Sequence, residues 1–144
     1  MISQQQCLNA TILIVDDQMT NILLLESILQ NAGYTKIHST QDPTEVVSSV
    51  KKLNPDLICL DIRMPQINGF QVMGQLKIIQ KDTYLPILVL TSEEDRETRL
   101  RALESGAKDF LHKPFDKIEV LMRIRNLLEA SLLNRTISLQ KETL

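Results

Sequence analysis

Short apolar runs alternate with segments of helical periodicity between residues 11 and 131. The strand-like runs occupy residues 12–15, 57–60, 87–90 and 109–111. Strands that alternate with amphipathic helices are typical of βαβ units, in which successive strands lie parallel in one sheet. The pattern therefore predicts an α/β domain built on a parallel sheet.

Local signals mark several element boundaries. A helix predicted over residues 19–32 ends at Gly33, since glycine tolerates the conformation that follows a helix. Asp42 and Pro43 supply an N-cap and a first-turn proline, which predict the start of a second helix. The run at residues 57–60 shows no polar and apolar alternation, so we expect the central strand there, buried on both faces.

Three further helices are predicted after Gly69, Ser92 and Pro114. The third helix runs to about residue 81. The fifth continues past residue 131, because neither proline nor glycine interrupts it there.

The chain of 144 residues suits a single domain. We expect this domain over residues 11–131, preceded by an N-terminal extension over residues 1–10. Residues 132–144 then form a helical tail or linker that could lead to an output domain.

Charge and composition exclude several functions. The net charge of −2 comes from interspersed acids and bases, so no broad basic field would attract nucleic acid. The sequence shows neither a secretory signal nor an apolar run that could cross a bilayer, and we expect a cytoplasmic protein without membrane contact. We expect Cys7 and Cys59 to be free thiols, since Cys59 lies within an apolar run.

Each of the four strand-like runs leads into a chemically reactive residue. Because the carboxyl ends of parallel strands meet at one edge of the sheet, these side chains should converge in one site. They are Asp16 and Asp17 after the first run, Asp61 after the second, Thr91 after the third and Lys113 after the fourth.

The order of these residues resembles the receiver domain of two-component response regulators. The motifs that carry the resemblance are Asp16-Asp17, D-I-R-M-P-Q-I-N-G over residues 61–69, Thr91-Ser92 and Lys113-Pro114-Phe115. The resemblance implies a flavodoxin-like fold with five parallel strands in the order 2-1-3-4-5. Residues 95–133 further resemble receivers that precede HD-GYP cyclic di-GMP phosphodiesterases, although nothing of that catalytic domain is present.

The resemblance also implies a chemistry, namely transfer of a phosphoryl group to Asp61 from a histidine kinase or a phosphotransfer protein. A carboxylate that attacks an anionic donor needs a cation, and Mg²⁺ prefers oxygen ligands. The implied ligands of Mg²⁺ (or Mn²⁺) are Asp16, Asp17, Asp61 and the backbone carbonyl of Arg63.

Phosphoryl oxygens would be contacted by the hydroxyl of Thr91 and the ammonium of Lys113. Phe110 matches the switch position of the family, which acts on the face made by the fourth predicted helix, fifth strand and fifth predicted helix. Having no hydroxyl, Phe110 should favour the inward rotamer even before phosphorylation. We also expect a cis peptide bond between Lys113 and Pro114.

Arg63 and Glu93 each lie two residues beyond a site residue, and they would flank the mouth of the pocket. An ion pair between them could limit the access of water and so lengthen the lifetime of the phosphoryl group. Exposed pairs of this kind contribute little to stability.

Two other functions compete with this interpretation. A phosphatase of the haloacid dehalogenase type needs a second acid two residues after its nucleophile, and Arg63 occupies that position. A receiver-like interaction module that works without phosphorylation is the other alternative. We expect a phosphoacceptor signalling domain rather than an enzyme, with only self-phosphorylation and self-dephosphorylation chemistry; a homodimer and an output domain stay open.

Overall fold

The computed structural model describes residues 2–64, 67–79, 84–92 and 96–143, with residues 138–143 described by their backbone alone. Five parallel strands form one sheet in the order β2-β1-β3-β4-β5, which confirms the predicted topology. The strands are β1 (Thr11–Val15), β2 (Lys36–Thr40), β3 (Leu57–Asp61), β4 (Ile87–Thr91) and β5 (Asp109–His112). The helices are α1 (Gln4–Leu8), α2 (Met19–Asn31), α3 (Val46–Leu53), α4 (Gly69–Ile79), α5 (Arg96–Glu104) and α6 (Lys117–Thr143).

Strand β3 lies at the centre of the sheet, and all five of its residues are buried. It pairs with β1 on one side, where Leu60 is opposite Val15, and with β4 on the other, where Asp61 is opposite Leu90. This register brings the carboxyl ends of the three strands to the same level, so the residues that follow them become neighbours.

Alternate side chains of the strands enter two core clusters, one on each face of the sheet. Ile12 and Ile14 of β1 pack into the cluster covered by α1, α2 and α6. Leu13 and Val15 of the same strand pack into the cluster covered by α3, α4 and α5. A parallel sheet covered on both faces is what the unbroken apolar runs of the sequence predict.

The predicted boundaries at Gly33 and Asp42 are present. Gly33 adopts a φ of 104°, a left-handed conformation that costs glycine little. Asp42 caps a short 3₁₀ turn, Pro43–Glu45, by accepting a hydrogen bond from the N–H of Thr44 at 2.9 Å, and α3 follows that turn directly. The predicted end of the third helix at residue 81 lies outside the described residues.

Helix α1 has no counterpart among the helices predicted from the sequence. It begins with a capping box, in which Ser3 and Gln6 exchange hydrogen bonds between side chain and backbone. Cys7 and Ala10 are buried in the first core cluster, which includes residues of α6. The residues predicted to be an extension therefore pack against the core, and the S-x-x-Q pattern was the signal available in the sequence.

Helix α6 continues past residue 131, as predicted, and its far end is attached to the domain. Nη1 of Arg135 lies 2.8 Å from Oδ1 of Asp56, and Nη2 of the same arginine donates to the carbonyl of Pro55 at 2.9 Å.

Because α1 precedes the helices predicted from the sequence, the fourth predicted helix is α5 and the fifth is α6. Among the described residues no helix is both long and apolar enough to cross a membrane. Cys7 and Cys59 are buried free thiols, as expected.

Candidate functional site: an acidic pocket at the carboxyl edge of the sheet

Asp16, Asp17 and Asp61 converge where β1 and β3 end. One carboxylate oxygen from each lies within 4.8 Å of the other two. Asp16 is fully buried and Asp61 is 3% exposed, whereas Asp17 is partly open to solvent. The sheet register thus holds three acids together with one of them at the surface.

The two oxygens of Asp16 have different surroundings. Oδ1 accepts a hydrogen bond from the backbone N–H of Gln18 at 2.9 Å and another from the side-chain amide of Asn21 at 3.4 Å. Oδ2 accepts no hydrogen bond and lies 3.1 Å from Nζ of Lys113. Because this buried oxygen has an ammonium nearby but accepts no hydrogen bond, it can also serve as a ligand of a metal cation.

Asp61 resists ionisation. Burial is the largest cause that raises the pKa of Asp61 to about 7, and the negative charge of Asp16 is the second. The ammonium of Lys113 partly offsets this rise. Oδ1 of Asp61 lies 3.3 Å from Nζ of Lys113 and accepts a hydrogen bond from the backbone N–H of Arg63 at 3.2 Å. One cation therefore serves two buried acids, which leaves negative charge uncompensated in the pocket.

Lys113 is placed by the turn after β5. Its peptide bond to Pro114 is cis, as predicted. Its backbone N–H donates to the carbonyl of Thr91 at 3.0 Å, which holds the ends of β4 and β5 together. This position allows the ammonium of its side chain to contact both buried acids.

Thr91 is the buried last residue of β4 and follows Leu90, which pairs with Asp61 across the sheet. Phe110 lies on β5, half-buried at the edge of the second core cluster. Its backbone N–H donates to Oδ1 of Asp109 at 2.8 Å, and Arg123 of α6 contacts both oxygens of that carboxylate at 2.8 Å. The rotamer preference and the switching role of Phe110 stay predictions, but the contacts link its backbone to α6.

Gly69 allows the loop after β3 to pack against the strand. A Cβ at this position would lie 2.7 Å from the carbonyl oxygen of Asp61 and 2.7 Å from Cα of Ile62. The N–H of Gly69 donates to the carbonyl of Ile62 at 2.8 Å. Only a residue without a side chain permits this approach.

Arg63 is exposed beside the pocket, and Glu93, its predicted partner, lies outside the described residues. Sequence reasoning missed Arg101, whose guanidinium lies 4.0 Å from the centre of the Phe70 ring. Arg101 lines a cavity next to the acids, together with Thr98 on the same helix. Thr98 and Arg101 are three residues apart, which places both on one face of the helix. This spacing was the signal in the sequence from which their common position could have been predicted.

The residues of the pocket fit a hard divalent cation. The donor set consists of carboxylate oxygens, the ligand type that Mg²⁺ prefers. Oδ2 of Asp16 lacks a hydrogen bond, and the ammonium of Lys113 already lies where positive charge is needed. A metal ion would offset both the burial and the charge of Asp16, which raise the pKa of Asp61.

A parallel five-stranded sheet with such a pocket defines the class of receiver proteins, and the comparisons agree. The family described as the response regulator receiver domain matches residues 12–125, so the chain belongs to that family, whose members act in two-component systems. The receiver domains of the family bind Mg²⁺ at an acidic cluster of this kind.

Three relatives show the extent of the similarity. The response regulator PleD of Caulobacter vibrioides is 39% identical over 121 residues, which cover 83% of this chain and 26% of PleD. The alkaline phosphatase synthesis transcriptional regulatory protein PhoP of Bacillus subtilis is 36% identical over 86% of this chain and 50% of PhoP. The structure of the chemotaxis response regulator CheY4 of Vibrio cholerae superposes with a TM-score of 0.76 at 28% identity, covering 83% of this chain and 98% of CheY4.

The chain spans between about a quarter and half of the length of these two curated relatives. The structure of CheY4, in contrast, is covered almost completely. The similarity therefore concerns the receiver domain, and the remaining parts of the longer relatives have no counterpart in the aligned residues.

Proposed function

We propose that Asp61 is the phosphoacceptor of a signalling domain that receives its phosphoryl group from a histidine kinase or a phosphotransfer protein. The observation that carries the proposal is the cluster of three carboxylates within 4.8 Å of one another, two of them buried and both facing the same lysine. A stable fold gains nothing from such crowding, whereas a site that binds a cation and an anionic group needs it.

Asp16, Asp17, Asp61 and the backbone carbonyl of Arg63 would hold Mg²⁺ or Mn²⁺. When bound, the ion supplies the positive charge that lets a carboxylate approach an anionic donor. The chain's own residues provide the rest of the site. The buried position of Asp61 excludes bulk water, and the N–H of Arg63 orients its Oδ1.

In the transfer step an oxygen of Asp61 forms a bond to phosphorus while the bond from phosphorus to the donor breaks. The donor atom leaves with that electron pair, and the product is an acyl phosphate on Asp61. Lys113 then contacts one phosphoryl oxygen through its ammonium, and Thr91 donates its hydroxyl to another. Thr91 ends β4 and Lys113 directly follows β5, and the N–H of Lys113 donates to the carbonyl of Thr91.

Phosphorylation would act on the face formed by α5, β5 and α6. Movement of the Thr91 hydroxyl toward the phosphoryl group vacates space for the ring of Phe110, which repacks that face. The face would control an output domain that follows α6 or a separate partner, including a second copy of this chain. The domain would work in the cytoplasm, as is typical of the family, and as a phosphoacceptor rather than as an enzyme.

Arg63 and Glu93 would set the lifetime of the acyl phosphate by pairing across the pocket mouth. Dephosphorylation rates of the wild type, Arg63→Ala and Glu93→Ala test this role. We expect faster loss of phosphate from both variants. Rates equal to that of the wild type would contradict a role of Arg63 and Glu93 in the lifetime of the acyl phosphate.

Intact-mass measurement after incubation with phosphoramidate tests the proposed function. We expect the wild type to gain the mass of one phosphoryl group with Mg²⁺ and none with chelator, and Asp61→Asn to gain none. The isosteric amide keeps the shape of the pocket, so its failure would not come from misfolding. No gain by the wild type with Mg²⁺ would favour an interaction module that works without phosphorylation.

A further inference from the structure

A cavity of about 530 Å³ lies between α4 and α5, next to the acidic pocket. Asp17 forms part of its wall, so the cavity opens beside the carboxylates. Among the described residues that line it, the cations are Arg63 and Arg101, while Asn68 and Thr98 add polar groups. The volume lies in the range of sites that hold small ligands.

Arg101, which is exposed, contacts an aromatic ring. Its guanidinium lies 4.0 Å from the centre of the Phe70 ring, a distance at which a cation is attracted to the ring face. Phe70 directly follows Gly69, which packs against the carbonyl oxygen of Asp61. Gly69 and Phe70 therefore connect the guanidinium of Arg101 to the backbone of Asp61.

The direction of phosphoryl transfer relates the cavity to the reaction. The attacking and leaving atoms lie roughly in line, on opposite sides of phosphorus. Asp61 is buried, and Asp17, which lines the cavity, is partly open to solvent. A leaving group that points from Asp61 toward solvent on the side of Asp17 would therefore enter the cavity.

We propose that this cavity receives the leaving group of acyl phosphates and that Arg101 is a specificity-determining residue for such donors. The proposal rests on the function proposed for Asp61. As the bond between Asp61 and phosphorus forms, the bond from phosphorus to the bridging oxygen breaks, and that oxygen leaves with the electron pair as part of a carboxylate. A guanidinium stabilises the negative charge that develops on this group.

Phosphoramidate provides the contrast, because its nitrogen takes up a proton and leaves as neutral ammonia. A cation near the leaving group then gains nothing in the transition state. The ratio of the phosphorylation rate with acetyl phosphate to the rate with phosphoramidate therefore isolates the contribution of Arg101 from effects on Asp61 or on the metal ion.

The test measures initial rates with both donors at constant Mg²⁺ and ionic strength. In Arg101→Gln we expect the ratio to fall about fivefold, the size expected of one solvent-exposed charge interaction. Arg96→Gln is the matched control, since it removes a positive charge from the same helix without altering the cavity lining, and its ratio should equal that of the wild type. Phe70→Leu keeps the charge but removes the ring, and its ratio should also fall.

Two results would overturn the proposal. One is an unchanged ratio in Arg101→Gln, and the other is an equal loss of rate with both donors, which would mean that Arg101 serves the whole site. Failure of the wild type to react with either donor would contradict the proposed function of Asp61 itself. Normal phosphorylation with an unchanged ratio would contradict only the role of Arg101.

Discussion

Two buried aspartates stand at opposite ends of the central strand, and their surroundings differ. Asp56 precedes β3 and is 7% exposed. Its Oδ2 accepts a hydrogen bond from the N–H of Thr11 at 2.8 Å, and its Oδ1 lies 2.8 Å from Nη1 of Arg135. Asp61 ends the same strand among other acids, with one shared lysine.

The comparison separates a structural carboxylate from a functional one. Each oxygen of Asp56 has its own partner, so its burial leaves no charge uncompensated. Asp61 shares Lys113 with Asp16, and burial together with the charge of Asp16 raises the pKa of Asp61 to about 7. Burial alone thus does not identify a reactive acid, whereas burial beside other acids does.

Asparagine substitutions at the two positions should change stability in opposite directions. Asp56→Asn loses the ion pair with Arg135 and weakens the hydrogen bond from the N–H of Thr11, and we expect the free energy of unfolding to drop by about 3 kcal/mol. Asp61→Asn removes an acid from a repulsive cluster, so at pH 8 without metal we expect a more stable protein. Urea denaturation of both variants provides the measurement, and destabilisation of equal size at both sites would abolish the distinction.

The stability difference between the wild type and Asp61→Asn should depend on pH. Because the pKa of Asp61 is about 7 in the folded state and near 3.8 in the unfolded chain, the folded state binds this proton more tightly. The unfolding free energy of the wild type relative to the variant should therefore fall between about pH 4 and pH 7, by about 4 kcal/mol, and stay level above. Denaturation midpoints across this range test the sign, and a rise with pH would contradict it.

Gly69 and Gly74 offer a matched pair on α4. Gly69→Ala places a methyl group against backbone atoms of Asp61 and Ile62 that cannot move aside, so we expect a loss of about 2 kcal/mol. Gly74 has no atom within 4 Å of the corresponding position and lies inside the helix, so alanine there should stabilise by up to about 1 kcal/mol. Thermal denaturation of both variants distinguishes the two effects. Similar changes at both glycines would contradict the close packing of Gly69 against the backbone of Asp61 and Ile62.

Much of the candidate site could be predicted because it depends on one rule of topology. Asp16, Asp61 and Thr91 follow or end strands that βαβ connections make parallel, so the pattern places them at one edge of the sheet, while the strand order was implied by the resemblance to receiver domains. The contact between Arg135 and Asp56 could not be predicted, because it joins residues far apart in sequence and depends on the path of α6. Helix α1 was missed because five residues are too few for a periodic signal.

Arg135→Gln should have a small effect, similar in size to that of alanine at Gly74. The side chain of Arg135 is 28% exposed and water can replace part of its contact, so we expect a loss of about 1 kcal/mol. The N–H of Thr11 would still bind Asp56. Amide hydrogen exchange should become faster in α6 near residue 135 but not near residue 120, and unchanged exchange would show that the contact does not hold this end of the helix.

Chemical mapping of the phosphoryl group tests the central claim most directly. After incubation with phosphoramidate and Mg²⁺, borohydride reduces an aspartyl phosphate to homoserine, which a peptide mass spectrum locates. We expect homoserine at position 61 alone, and only when Mg²⁺ is present. Homoserine at position 16 or 17, or equal conversion of Asp61 without the metal ion, would contradict the assignment of the crowded acids to metal-dependent phosphoryl transfer.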